Sequence, residues 1–444
     1  MRLPITLSLA VCLCGASAVS ADGVRYALFN GENLDGWVVT GCEAGVEDGS
    51  LVLQSGNGFV RSQHRYGDFV LEVKWRARKA EAFDSGIYFR CDTPPEGKDW
   101  PARYQVNLKQ QQEGNVGGLP KAQSKGLAKV GEWNAFKLTV VGKTAHLEIN
   151  GQRAWETDGI EATDGYIGLQ SEVPLGGQYE FKDLYITELQ HTPLFNGHDL
   201  AGWEGASGEA AQCWKVEEGL LMCTGEKGPW LRSTKEYGDF NLRLEYKLKP
   251  GGNSGVYVRV PADGNHHGDG AGVEIQVLDD HAERYAKLKP YQYTGSVYAI
   301  APATDHVGRE AGTWNNLEID CRGASYVITH NGVVIVRADG KSFPEILGRR
   351  PAGFLGLQNH SEEVWYRNVR LGPSSQPETV TPAEPVQPAS PKAGEKSKAG
   401  ESKDAASRSP ESKREAGQKR KKAKQKQVLQ PANKEGDAET GKPK

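Results

Sequence analysis

The segment LFNGENLDGW, Leu28 to Trp37, returns as LFNGHDLAGW, Leu194 to Trp203, and a series of later motifs returns in the same order. An acidic-Gly turn comes next in each copy, Glu47-Asp48-Gly49 or Glu217-Glu218-Gly219, and then YGDF at Tyr66 to Phe69 or Tyr237 to Phe240. SGIYFR (Ser85 to Arg90) answers SGVYVR (Ser254 to Arg259), and Trp133-Asn134 answers Trp314-Asn315. Asn150-Gly151 answers Asn331-Gly332, and Leu169-Gln170 answers Leu357-Gln358. A shared order over about 170 residues marks duplicated whole domains, since solenoid repeats have periods of roughly 20–50 residues. The 444-residue length also exceeds what one core organises. Two domains result, 22–189 and 190–372, joined near Gln190 to Pro193.

Within each copy, short runs rich in Val, Leu, Tyr and Trp alternate with Gly, Asn, Asp and Pro, with almost no helical period. FNLRLEYKL, Phe240 to Leu248, places Phe240, Leu242, Leu244, Tyr246 and Leu248 on one face and Asn241, Arg243, Glu245 and Lys247 on the other. That is a half-buried strand. An all-β domain of two packed antiparallel sheets accounts for many such strands. Asn150-Gly151 and Asn331-Gly332 predict tight hairpin turns. Trp133, Trp203, Trp214 and Trp314 sit at repeated or alternating positions expected in the core, whereas Trp100 and Trp230 are candidates for exposure.

The two ends differ from the repeats. Met1-Arg2, the apolar run Leu7 to Leu13 and the small residues Val19-Ser20-Ala21 predict a signal peptide, 1–21, and a periplasmic or secreted protein. No later stretch reaches the ~18 apolar residues of a membrane-spanning helix. From Pro373 to Lys444 aromatic residues are absent, and sixteen Lys and Arg face ten Asp and Glu. This +6 tail leaves −9 on the rest of a chain of net charge −3. Such a segment buries too little to offset its ordering entropy and is predicted to be disordered. Its Lys419-Arg420-Lys421-Lys422 cluster suits an anionic envelope or polysaccharide in an exported protein, with no specific nucleic acid expected; a solvated linker is the plainer reading. Beyond the leader, Cys42, Cys91, Cys213, Cys223 and Cys321 show no zinc-like spacing. Cys213 and Cys223 bracket a predicted hairpin, as a disulfide or as two buried thiols.

Strand alternation also exposes a polar face in the second copy. In GVEIQVL, inward Val273, Ile275 and Val277 force Glu274 and Gln276 outward; in SGVYVRV, Tyr257 and Arg259 oppose Val256, Val258 and Val260. Gln358 and His360 oppose Leu355 and Leu357, and Ser296 and Tyr298 oppose Val297 and Ala299. A solvated face favours Lys, Glu and Thr, but this set combines hydroxyl-binding groups with acid-base groups. Asp279, Asp280 and His281, with Asn253-Ser254, are expected at the rim.

These residues carry a resemblance. LFNG..L.GW, WKVEEGLL, YGDF.LRLEY, PGGNSGVYVR, VEIQVLDDH, TGSVYA, TWNNLEI and GLQNH, in this order, resemble the 3-keto-disaccharide hydrolase domain family, and both copies match over most of their length. The resemblance implies tandem concanavalin A-like jelly rolls and cleavage of glycosides oxidised at C3 by a separate, upstream sugar oxidoreductase. It implies a site at Glu274, Gln276, Asp279, Arg259 and His360. A C3 ketone acidifies the C2 proton, so a base removes it, the C1 oxygen leaves, and water adds afterwards. Glu274 or His360 would be the base, Asp279 or the other of that pair the acid, and Arg259 the enolate's stabiliser. Asn253, Tyr257, Gln276, Tyr298 and Gln358 would bind the sugar. A divalent ion at Asp279 and His281 is an alternative stabiliser that those ligands alone do not specify.

The first copy departs where the chemistry lies. Gln105 stands at the place of Glu274, Asn107 at Gln276, Gln110 at Asp279, Glu172 at His360 and Pro120 at Tyr298, while Tyr88 and Arg90 remain. A binding or structural role is expected for it, or a different site using Glu172. Two other readings stand beside catalysis of this kind: a non-catalytic carbohydrate-binding or cell-surface protein, and a conventional retaining glycosidase pairing Glu274 with Asp279.

Overall fold

The computed structural model describes residues 23–376, so the leader and the tail beyond 376 lie outside the described residues. Both copies are antiparallel sandwiches of an eight-stranded and a five-stranded sheet. In the second copy the smaller sheet runs Trp203–Gly205, Leu231–Tyr237, Gly353–Leu357, Asn253–Val260, Val273–Leu278. Its counterpart in the first copy has the same order: Trp37–Thr40, Asn57–Ser62, Tyr166–Glu172, Gly86–Cys91, Gln105–Asn107. Among the described residues the one α-helix is the four-residue Val173–Gly176. None is long and apolar enough to cross a membrane.

Each sandwich fills its own core from inward-facing apolar side chains, one cluster from Leu28 to Ile186 and another from Phe195 to Val369. The hairpin prediction holds in detail: Asn150 and Gly151 have φ of 52° and 78°, and Asn331 and Gly332 have 47° and 79°. Both central residues of such a two-residue turn require positive φ, which Asn-Gly supplies at least cost. Cys223 lies on the strand Leu220–Thr224 with Trp214 as its register partner, Cys213 sits in the turn just before Trp214, and both are buried free thiols.

The repeated motifs are the joints of this scaffold. Trp37 and Trp203 donate their indole N–H to Leu28 O and Leu194 O at 2.9 and 2.8 Å, while Asn30 and Asn196 cap the turns between. Ser85 and Ser254 donate to Gln170 O and Gln358 O across the smaller sheets. Asn134 and Asn315 accept from Asn150 and Asn331, locking each hairpin to the preceding strand. Trp133 and Trp314, expected in the core, are instead half-buried beneath cations: Lys182 and Arg76 for the first, Arg367 and Lys247 for the second. Each precedes the strand that its Asn begins, so its ring falls outside the alternation and stacks on the sheet's polar face.

The strand Phe240–Leu248 has the predicted bounds, but its polar face is not solvated. Asn241 and Arg243 are buried because the first sandwich covers them. Glu188, at the end of the first copy, is 3% exposed and accepts from Tyr26 Oη (2.7 Å), Arg370 Nη2 (2.9 Å) and Arg243 Nη1 (3.2 Å). Glu318 receives His64 Nδ1 and Asn241 Nδ2, both at 2.8 Å, and Arg243 Nη2 reaches Arg65 O at 2.8 Å. Asn316 donates to Gln63, and Arg309 pairs with Asp35. The two sandwiches are therefore joined by a buried lattice of charge and amide groups. Ser374, Ser375 and Gln376 bond to Asp320, so the first residues of the predicted tail remain attached to the second sandwich.

Buried histidines make the assembly acid-sensitive. Burial pushes His191 down to about 4 and His330 down to about 3, and His330 Nε2 sits 2.9 Å from Tyr246 Oη. Between these values and the ordinary ~6.5, the unfolded chain binds protons that the folded chain refuses. Stability therefore falls as pH drops through that window, by about 1.4 kcal/mol per pH unit for each histidine. Urea unfolding at pH 7 and pH 5 checks this; equal midpoints contradict it.

Candidate functional site

In the second copy, Val273–Leu278 pairs with Asn253–Val260 so that Tyr257 faces Glu274 and Gly255 faces Gln276. With Val256, Val258, Ile275 and Val277 in the core, the outer face of the smaller sheet carries Tyr257, Glu274 and Gln276. Gln358 and His360 arrive just past the end of Gly353–Leu357. The loop after Val260 folds back to bring His266 and His267, and the segment after Leu278 brings Tyr285, Gln292 and Tyr298. Together these side chains other than Tyr257, with Asn253, Leu278 and Leu288, enclose about 300 Å³.

Glu274 lies at the floor, 4% exposed, with Oε2 at 3.1 Å from His266 Nε2. His266 stacks on Tyr257 with ring centroids 5.0 Å apart, and Tyr257 meets Trp230 edge-on at 5.1 Å. Burial works against charge on His266, but the hydrogen bond and charge of Glu274 hold its pKa above the ordinary imidazole value. Burial and the neighbouring His266 lower that of His267. Tyr257 is pushed up to about 12 by burial and then by Glu274, so it remains a neutral phenol. Gln276 donates to Asn253 Oδ1 at 2.9 Å, and Asn253 Nδ2 lies 3.5 Å from His360 Nε2. Gln292 donates to Tyr298 Oη at 3.1 Å. Gln358 donates to Tyr257 Oη at 3.0 Å, leaving its own buried Oε1 without a partner. A buried acceptor left open in a polar cavity suits a ligand hydroxyl.

Gly255 makes room for the carboxylate. A Cβ built there would stand 2.2 Å from Glu274 Oε1. The obstacle is the end of a flexible side chain, so Gly255→Ala is expected to fold but to displace Glu274 and lower kcat/KM roughly 10- to 100-fold. Steady-state kinetics beside a thermal melt check this; unchanged kinetics contradict it.

The sheet does not gather every expected residue. Arg259 was expected beside Tyr257, but a bulge between Tyr257 and Val260 gives it a φ of 54° and turns it inward. It is fully buried, donating to Gly238 O, Gly323 O and Asp239 Oδ1. Arg90 does the same in the first copy, with Asp68 and the carbonyls of Gly67, Gly142 and Ala162. Asp279 does not line the cavity: Oδ2 accepts from Gly251 N at 2.7 Å and Oδ1 from His281 N at 3.3 Å. Ser296 lies in a loop, next to an isolated bridge at Val297, rather than in a strand, and accepts from Ala303 N. His281 Nε2 faces Gly308 O at 3.0 Å. Among the described residues no three His, Cys, Asp or Glu side chains form a metal-holding group, so the residues present do not fit the alternative of an ion at Asp279 and His281.

His266, His267 and Gln292 were missed. GNHHGDG carries no strand alternation, and only its two adjacent histidines within a Gly-rich loop pointed to a site. The loop is held from beneath by Arg349, whose Nη1 donates to His266 O, Gly268 O and Gly272 O.

The first copy builds the same notch without the acid. Gly86 opposes Asn107, Tyr88 faces Gln105, and Phe59 meets Tyr88 edge-on as Trp230 meets Tyr257. Gln105 donates to Gln170, which donates to Glu172 at 3.0 Å. Trp100 packs on Phe59, Tyr88 and Cys91 and donates to Gly58 O and Ser171 O.

Similarity to known proteins mirrors this duplication. The family described as 3-keto-alpha-glucoside-1,2-lyase-like domain matches residues 26–187 and again 190–372. A protein of Bacteroides thetaiotaomicron named 3-keto-disaccharide hydrolase is 25% identical over 232 residues, covering 43% of this chain and 78% of its own. A solved protein of Parabacteroides distasonis, provisionally named a glycosyl hydrolase, is 26% identical over 41% of this chain and 98% of its own, with a TM-score of 0.36. The carbohydrate-binding module CBM66 of Bacillus subtilis is 16% identical over 38% of this chain and 95% of its own, with a TM-score of 0.26.

Proposed function

Given that the chain belongs to the 3-keto-alpha-glucoside-1,2-lyase-like domain family, we propose that it is a carbohydrate-active enzyme cleaving 3-keto-glycosides at the cavity of its second sandwich. One observation carries this reading: the cavity is lined by a single carboxylate, Glu274, together with three imidazoles, His266, His267 and His360. Retaining hydrolysis of an unoxidised glycoside needs two carboxyl groups across the sugar. Elimination from a 3-keto sugar needs one base and one acid near neutrality. Glu274 takes the C2 proton, the electron pair forms the enolate of the C3 ketone and then expels the C1 oxygen, and His360 protonates that oxygen. Water then adds to the resulting double bond. Asp279 and Arg259 take no part, and the imidazoles stand where Arg259 was expected to supply positive charge.

The reading requires a sugar 3-oxidoreductase upstream, and the predicted leader supports a periplasmic or secreted location for this chain. The first sandwich serves as support or binding module, and the basic tail as a contact to anionic envelope or polysaccharide. Incubation of the mature protein with 3-keto and unoxidised forms of several glucosides, with and without chelator, tests the activity. Release from the keto form alone supports it. Release from the unoxidised form points to an ordinary glycosidase, and binding without release to a lectin.

A further inference from the structure

With Glu274 ionised, His266 lies between two hydrogen-bond acceptors: Gly264 O at 3.2 Å from Nδ1 and Glu274 Oε2 at 3.1 Å from Nε2. A neutral imidazole has one N–H and satisfies one of them; only the imidazolium satisfies both. We propose that His266 is an imidazolium whose task is to position the Glu274 carboxylate, one oxygen bound and the other free above Gly255. This rests on the reading of Glu274 as the base and deepens it, since His266 acts through Glu274 as a positioning residue.

The surroundings fit a fixed cation. Tyr257, on the neighbouring strand, stacks under the ring as a neutral phenol, and Glu274 supplies the negative charge. His267, with its ring centroid 4.0 Å away on the same loop, has its pKa lowered by desolvation and by His266 itself. Arg349 grips the loop through His266 O, and its charge opposes the imidazolium. Glu274 outweighs it. When His266 loses its proton, one of its two hydrogen bonds is lost, so activity must fall as pH rises through its elevated pKa. His266 thereby sets the alkaline limit of turnover.

Two measurements on the full-length protein test this. In the first, ring resonances of His266 are followed by NMR against pH without substrate. The titration is expected above the ordinary ~6.5 in the parent and lower in Glu274→Gln; an unchanged titration overturns the pairing. In the second, the pH profile for a 3-keto-glucoside is compared between parent and His266→Gln, whose amide donates without titrating. The variant is expected to lose kcat roughly tenfold or more with little change in KM, and to lose the alkaline limb. A parental profile in His266→Gln overturns the proposal. A parent that does not turn over the keto sugar defeats the functional reading, while the NMR titration still decides the pairing.

Discussion

Glu274→Gln is expected to lose roughly 10²–10⁴-fold in turnover of a 3-keto-glycoside while melting close to the parent. The amide preserves shape and still occupies the notch over Gly255, so the sheet is not disturbed. What disappears is the one carboxylate that lines the cavity among the described residues. Substrate binding is expected to change much less, because Gln276, Asn253, Gln358 and Tyr257 remain in place. A loss confined to kcat identifies the base. Solvent exchange at C2 of the keto sugar gives a second readout, since a base that works before the leaving group departs exchanges that proton. Full activity in Glu274→Gln would move the chemistry to an imidazole.

Arg370→Ala carries the largest expected effect on stability, about 3–5 kcal/mol. Arg370 is 1% exposed and makes two hydrogen bonds to Glu188, which is itself 3% exposed. Burial opposes the charge of Glu188, yet Arg370, Arg243 and His191 hold its pKa well below the ordinary range, so truncation strands a carboxylate in the interior. Removing Glu188 as well is expected to restore part of the loss, because the stranded charge goes with it. Urea unfolding of the two single variants and the double variant measures this coupling. Additive losses would mean that the two residues act separately.

The strands, the hairpin turns and the duplication were legible in the sequence because each leaves a local mark: period two, Asn-Gly, and a repeated order. Half of the site was legible for the same reason, since Glu274, Gln276 and Tyr257 follow from alternation. Arg259 was misread because alternation ignores bulges, and a residue at φ of 54° leaves the register. The duplication already held the correction. Arg90 and Arg259 are retained in both copies, whereas Glu274 and Gln276 are replaced by Gln105 and Asn107 in the first. In this chain the motifs shared by both copies are largely joints, and the proposed chemistry lies where the copies differ. His266 and Asp279 were misjudged for another reason: loop residues owe their direction to distant partners such as Arg349 and Gly251, and no spacing records them.

The buried seam between the sandwiches bears on how such a chain changes over generations. Once Arg243 and Arg370 of one copy had come to answer Glu188 of the other, deleting either copy would leave unmatched ions on a newly bared face. The duplication thus acts as a ratchet. The copy that carries Gln105 where its sibling carries Glu274 still covers Arg243 and Arg370, and so has a task that needs no acid.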